Sequence, residues 1–140
     1  MLTLYFSPGA SSMAPHIALH EVEAPFEGKP VSLAKKETHT PEFLAINPEG
    51  KVPTMLIDGR VLTEVAGILF YLAKRFPAAG LLPDGDIEAE GRVVSWMSFI
   101  ASSIHPARRQ GRIPRGIRER LRQRYRRVHG CGSSRRYGPH

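Results

Sequence analysis

Ser11 and Ser12 stand directly ahead of Met13 to Val22, a run in which Ala14 and Ala18, and Ile17 and Glu21, repeat at helical spacing. Hydroxyls in that position can cap a first turn, and the free N–H groups of a helix start attract negative charge. Tyr5 closes the apolar run before them, where a tyrosine ordinarily packs into a core. Glu64 follows Thr63 at the head of a second periodic run, the position of a capping acid. Val52-Pro53 reads locally either as the start of an edge strand or as a cis turn. Lys35, Lys36 and Lys51 read by default as surface lysines. Ser98, Ser102 and His105 fall at i, i+4 and i+7 and read as a solvated polar stripe, and His16 as a structural hydrogen bonder. The chemistry these types offer is hydrogen bonding and charge pairing. With Cys131 the single cysteine, an intramolecular disulfide, a C-x-x-C redox pair and a cysteine-built zinc site are excluded, and no metal-ligand constellation is visible.

These residues need elements to position them. Leu2 to Phe6 is a short apolar run ended by Ser7-Pro8-Gly9, the punctuation of a strand entering a loop. A helix follows over 13–22 with a serine as its cap, and Phe26 to Leu33 predicts a second strand whose Gly28 and Pro30 suit an edge position. Phe43 to Ile46 predicts one or two irregular helical turns, stopped by Asn47-Pro48-Glu49-Gly50. Val52 to Ile57 and Arg60 to Leu62 flank Asp58-Gly59, the strongest short hairpin signal. Thr63 is expected to cap the helix Glu64 to Phe76, with Ile68, Leu72 and Phe76 on its core stripe and Pro77 ending it. The order βαβ, irregular helix, ββα predicts an α/β fold, a thioredoxin-like domain with a mixed four-stranded sheet. After the linker 78–86, Ile87 to His105 predicts an uninterrupted helix with Val93, Trp96, Met97, Ile100 and Ile104 at core spacing.

The chain has 140 residues, 41% apolar and 24% charged, which suits one globular core and excludes collagen-like, disordered and repeat-array classes. Its net charge of +7 is unevenly distributed: residues 1–106 carry eight basic against twelve acidic side chains, and 107–140 carry twelve arginines against one glutamate. Ile117, Leu121, Tyr125 and Val128 fall at near-helical spacing among those arginines. No apolar run approaches the ~18–20 residues of a membrane span, and Met1 to Ser12 lacks the basic and small-residue marks of a signal peptide, so the expected location is cytoplasmic. The expected segments are 1–77, the linker 78–86, the helix 87–106 and an arginine-rich tail 107–140.

From Leu2 to about His105 the sequence resembles the cytosolic glutathione S-transferases, closest to their bacterial beta class. The carriers are Leu4-Tyr5-Phe6-Ser7-Pro8-Gly9-Ala10-Ser11-Ser12, Met13-Ala14-Pro15-His16-Ile17-Ala18-Leu19, Ala45-Ile46-Asn47-Pro48-Glu49-Gly50-Lys51-Val52-Pro53, and Leu62-Thr63-Glu64 opening the helix with Ile68-Leu69-Phe70-Tyr71-Leu72. The resemblance implies a glutathione co-substrate lying across the first domain, with no metal. It makes Val52-Pro53 a cis-proline turn whose valine backbone pairs with the cysteinyl part. It makes Glu64, with the backbone N–H groups after Thr63, the γ-glutamyl subsite, and Lys35 the partner of the glycyl carboxylate, with Lys36 and Lys51 as substitutes. Ser102 and His105 become contacts at the lip of the site. Val65 departs from the serine or glycine that follows the acid in many relatives.

Catalysis in that family holds the glutathione thiol as thiolate, and the resemblance offers three hydroxyls to do so, those of Ser11, Ser12 and Tyr5. Lowering a thiol pKa from ~8.5 by about two units takes about 2.7 kcal/mol, within reach of one hydroxyl beside a helix N-terminus. Ser11 stands where typical beta-class enzymes carry cysteine. The function implied is conjugation of glutathione to a hydrophobic electrophile by a homodimeric detoxification enzyme. Past His105 the family's further helices are replaced by an Arg/Gly/Ser/Pro stretch, the pattern of a truncated or frame-shifted reading frame and of an impaired electrophile site. The alternative is a noncatalytic thioredoxin-like scaffold whose arginines bind nucleic acid or acidic partners.

Overall fold

The computed structural model describes residues 1–83, 85–109, 119 and 123. The chain divides into two compact units, Met1–Ala101 and Ser102–His140. In the first, β1 (Leu2–Phe6) leads to α1 (Met13–Glu21) and β2 (Phe26–Pro30). A 3-10 turn (Glu37–His39) and α2 (Pro41–Ile46) precede the hairpin of β3 (Thr54–Ile57) and β4 (Arg60–Thr63), and α3 (Val65–Arg75) and α4 (Ile87–Phe99) follow. The four strands form one mixed sheet in the order β2-β1-β3-β4, with β1 and β2 parallel and the other pairs antiparallel. This is the expected thioredoxin-like plan.

The strand period of two divides β1 between two faces. Leu4 points into a core with Met55, Leu19 of α1 and Ile68 and Leu72 of α3, all five fully buried. Tyr5 meets Phe43 of α2 edge-on at 5.5 Å. The Asp58-Gly59 turn has positive φ at both residues, 49° and 82°, as a two-residue hairpin of this hand requires. The Met1 ammonium donates to Asp58 Oδ1 and holds that exposed carboxyl below the ordinary aspartate range. The pairing therefore acts above that range and is lost as pH falls through the lowered value.

Four expectations are corrected. β2 stops at Pro30, although Val31 N–H still donates to Phe6 O at 2.8 Å. β3 begins at Thr54 because residues 47–53 are tied into a turn. Thr63 caps nothing: it ends β4 opposite Thr54, and Glu64 takes the cap position. The helix from Ile87 is not uninterrupted, because Ile100–Ile104 is π-helical and only His105–Arg109 (α5) returns to α geometry. The stripe through Ser98, Ser102 and His105 assumed α spacing throughout and does not survive that change of pitch. None of α4 is buried; Val93, Trp96 and Met97 are half-buried and Ile100 is exposed.

Candidate functional site

Strand register brings four loops to one end of the sheet. Phe6 pairs with Pro30, Tyr5 with Thr54, and Thr54 with Thr63. The segments leaving β1, leaving β2, entering β3 and leaving β4 therefore emerge side by side. They carry Ser7 to Ser12, Val31 to Lys36, Asn47 to Pro53, and Glu64 to Val65. Three strand spacings separate the outer two, about 14 Å.

In the first loop the two serines divide sharply. Ser12 is fully buried at the N-cap position of α1, yet its hydroxyl does not cap the helix, which corrects the expectation of a serine cap. Instead it accepts from Ser7 N–H at 3.0 Å and donates to Ser7 O at 3.2 Å, closing the loop on itself. Its proton is thereby engaged within the protein. Ser11 is half-buried, and among the described residues its hydroxyl has no hydrogen-bond partner. Ser12→Ala should cost about 1–3 kcal/mol, because it leaves the buried Ser7 N–H without an acceptor, while Ser7 O keeps its bond from Ala10 N–H; urea unfolding is the measurement.

The second loop is closed by Glu37, whose carboxylate accepts from Ser32 N–H at 2.6 Å, and by Ser32 Oγ, which accepts from Lys35 N–H at 3.2 Å. Lys35 is exposed on it, with no ion pair among the described residues. Between the first two loops lies an open groove of about 460 Å³ lined by Ser7, Pro8, Pro30, Val31, Ser32, Leu33, Ala34 and Glu37.

The third loop is organised by Asn47, 2% exposed. Its Nδ2 donates to Lys51 O at 3.1 Å and Thr54 Oγ1 at 2.9 Å, while Oδ1 accepts from Glu49 N–H at 3.0 Å. Thr54 Oγ1 donates in turn to Lys51 O at 2.8 Å. Gly50 has φ 61°, and a Cβ there would stand 3.1 Å from Thr38 O, so glycine suits this corner on both counts. The Val52-Pro53 bond that follows is cis, as the resemblance implies. Sequence reasoning misses Asn47 as a site residue; the available signal is an asparagine stopping a short helix ahead of proline.

At the fourth loop Glu64 is exposed and has φ 66° and ψ 128°, a region that costs a non-glycine residue of order 1–3 kcal/mol. Its side chain makes no capping bond. Its carbonyl accepts from Ile68 N–H at 3.0 Å, which starts α3 and leaves the N–H groups of Val65, Ala66 and Gly67 without an intrahelical partner. Held out of the helix, the carboxylate stands beside a helix start that attracts negative charge.

Tyr5 is half-buried, with its ring between Phe43 and the Lys29 ammonium, 5.6 Å from the ring centre. The His16 imidazole makes no hydrogen bond among the described residues, contrary to expectation, and rests on aromatic rings instead. Ser102 and His105 belong to the second unit; Ser102 is exposed with Oγ 3.4 Å from Ser103 Oγ, and His105 is half-buried at the start of α5. Cys131 and the stretch through Ile117, Leu121, Tyr125 and Val128 lie outside the described residues, so the polyanion-binding expectation for the tail rests on composition alone.

The family model described as "Glutathione S-transferase, N-terminal domain" matches residues 1–74. The chain belongs to the glutathione S-transferase family. It is 37% identical over 105 residues to glutathione S-transferase GST-4.5 of Xanthomonas campestris pv. campestris, covering 75% of this chain and 50% of that one. A sphingomonad glutathione S-transferase solved in complex with glutathione superposes with a TM-score of 0.75 at 37% identity, over 91% of this chain and 70% of that one. A bacterial beta-class glutathione S-transferase from Sphingomonas chungbukensis gives 0.67 at 39% identity, over 95% and 59%. The chain spans about half the length of the curated relatives it matches. Among the described residues no group of three metal-ligating side chains occurs, and no helix is long and apolar enough to cross a membrane.

Proposed function

We propose that this transferase-family chain binds glutathione across the loop end of its sheet and activates the thiol for attack on an electrophilic small molecule. The observation that carries the reading is the order of chemistry along that end: a free lysine, a strand entrance held by Asn47, and an acid forced out of a helix start. An extended tripeptide is ~10 Å long, so with the reach of the two side chains it matches the ~14 Å between the outer loops. Lys35 takes the glycyl carboxylate. Val52 offers backbone N–H and C=O to the cysteinyl part, the way an added strand is recognised. Glu64 takes the γ-glutamyl ammonium, and the free N–H groups at Val65 and beyond take its carboxylate.

Ser11 is the activating hydroxyl in this reading, because the Ser12 proton is committed to Ser7 O and the Tyr5 ring is packed against Phe43. A donated hydrogen bond stabilises the thiolate, the species that attacks, and the electrophile approaches over the apolar groove beside Ser7. As in the beta-class resemblance the protein works as a cytoplasmic homodimer. The test is spectrophotometric titration of the bound thiol. Ser11→Ala should raise its pKa by about 1–2 units with fold stability unchanged. Tyr5→Phe should leave it where it is. The same rise with Tyr5→Phe and none with Ser11→Ala would reassign the role to the tyrosine.

A further inference from the structure

Helix α1 carries two histidines that the glutathione reading does not use. His16 and His20 lie one turn apart on one helix face, with ring centroids 5.1 Å apart. We propose that this pair is a two-imidazole chelating site for a borderline divalent cation of the Zn2+ and Cu2+ class.

Distance, accessibility and charge support it. A Zn–N bond of about 2.1 Å places each ring centre about 3.2 Å from the ion, and a tetrahedral angle between two such rings separates their centres by about 5.2 Å. The pair therefore already stands at a chelating separation. Neither imidazole makes a hydrogen bond among the described residues, and no buried side-chain nitrogen there lacks a partner, so the ring nitrogens of half-buried His16 reach solvent. His20 is exposed. The rings are braced from behind: His16 lies 4.3 Å from Phe6 and 5.7 Å from Phe26, and His20 lies 5.2 Å from Phe26, centroid to centroid. Side chains already ordered by packing lose little freedom when they ligate. His20 sits in the last turn of α1, where the helix dipole favours a cation.

No third protein ligand joins the pair among the described residues, so water completes the coordination and the ion exchanges freely, unlike one in a closed structural site. Cu2+ binds more tightly than Zn2+ at such nitrogen donors.

The test is calorimetric titration of the full chain with Zn2+ in a non-chelating buffer without glutathione, whose thiol competes for the ion. Wild type should show a saturable one-to-one event. His16→Gln and His20→Gln should each weaken it at least tenfold, and the double variant should lose it. Cu2+ electron paramagnetic resonance of the wild type gives a readout that needs no variant: the spectrum should report two imidazole nitrogens on one ion. Zn2+ binding of undiminished affinity in the folded double variant, or a Cu2+ spectrum with a single nitrogen, would overturn the proposal.

Discussion

Glu64→Ala is expected to weaken glutathione binding roughly 10- to 100-fold, the effect of losing one charge-assisted hydrogen bond of about 1.5–3 kcal/mol. A carboxylate that served only the helix would be expected to sit at ordinary backbone angles and bond an N–H of the first turn. Glu64 does neither: it has φ 66° and makes no capping bond. The backbone thus carries a local cost, which the glutathione reading assigns to holding the carboxylate for the ligand. Glu64→Gly separates the two contributions, because glycine relieves the dihedral while adding freedom to the unfolded chain. The glycine variant should be about 1 kcal/mol more stable than wild type in urea unfolding and bind glutathione no better than the alanine variant. A glycine variant that kept wild-type affinity would show that the helix N-terminus alone holds the γ-glutamyl end.

Asn47→Ala should be the most damaging single change in the site for stability, about 3–4 kcal/mol, or about 10 °C in Tm. The side chain is almost wholly buried and satisfies Glu49 N–H, Lys51 O and Thr54 Oγ1 together. Removing it takes the acceptor from Glu49 N–H and one donor each from Lys51 O and Thr54 Oγ1, three bonds at once in the turn that delivers Val52 to the sheet end. Asn47→Asp keeps the acceptor for Glu49 N–H but loses both donated bonds, and sets a carboxylate against Lys51 O. It should therefore lose most of the same stability, and calorimetry of both variants checks the assignment. If the aspartate were tolerated within about 0.5 kcal/mol, the two donated bonds would not be what holds the turn.

The fold was largely legible because its signals are local. Asp58-Gly59 specifies its hairpin through two positive φ values that few residue pairs adopt, and Ile68 and Leu72 mark the buried stripe of α3 by period alone. The site was legible only as residue types in order, through the family resemblance. What escaped was whatever depends on a partner elsewhere in the chain. Ser12 looks like a helix cap from its neighbours, and its bonds to the Ser7 backbone appear only once the loop turns back. Thr63 looks like a better cap than Glu64, but pairing with Thr54 claims it for the strand. His16 offered no sign that Phe6 and Phe26 would meet it from two different strands. The π-helical turn at Ile100–Ile104 changes pitch within a sequence whose apolar spacing suits an α-helix.

In the proposed function one end of this sheet is a glutathione site built by Lys35, Val52 and Glu64 with Ser11 at the sulfur. Calorimetric titration of the full chain with reduced glutathione, wild type beside Glu64→Ala, tests it most directly. Wild type should bind saturably, one to one, and the substitution should weaken that binding at least tenfold. No heat of binding from a chain shown by circular dichroism to be folded would contradict it.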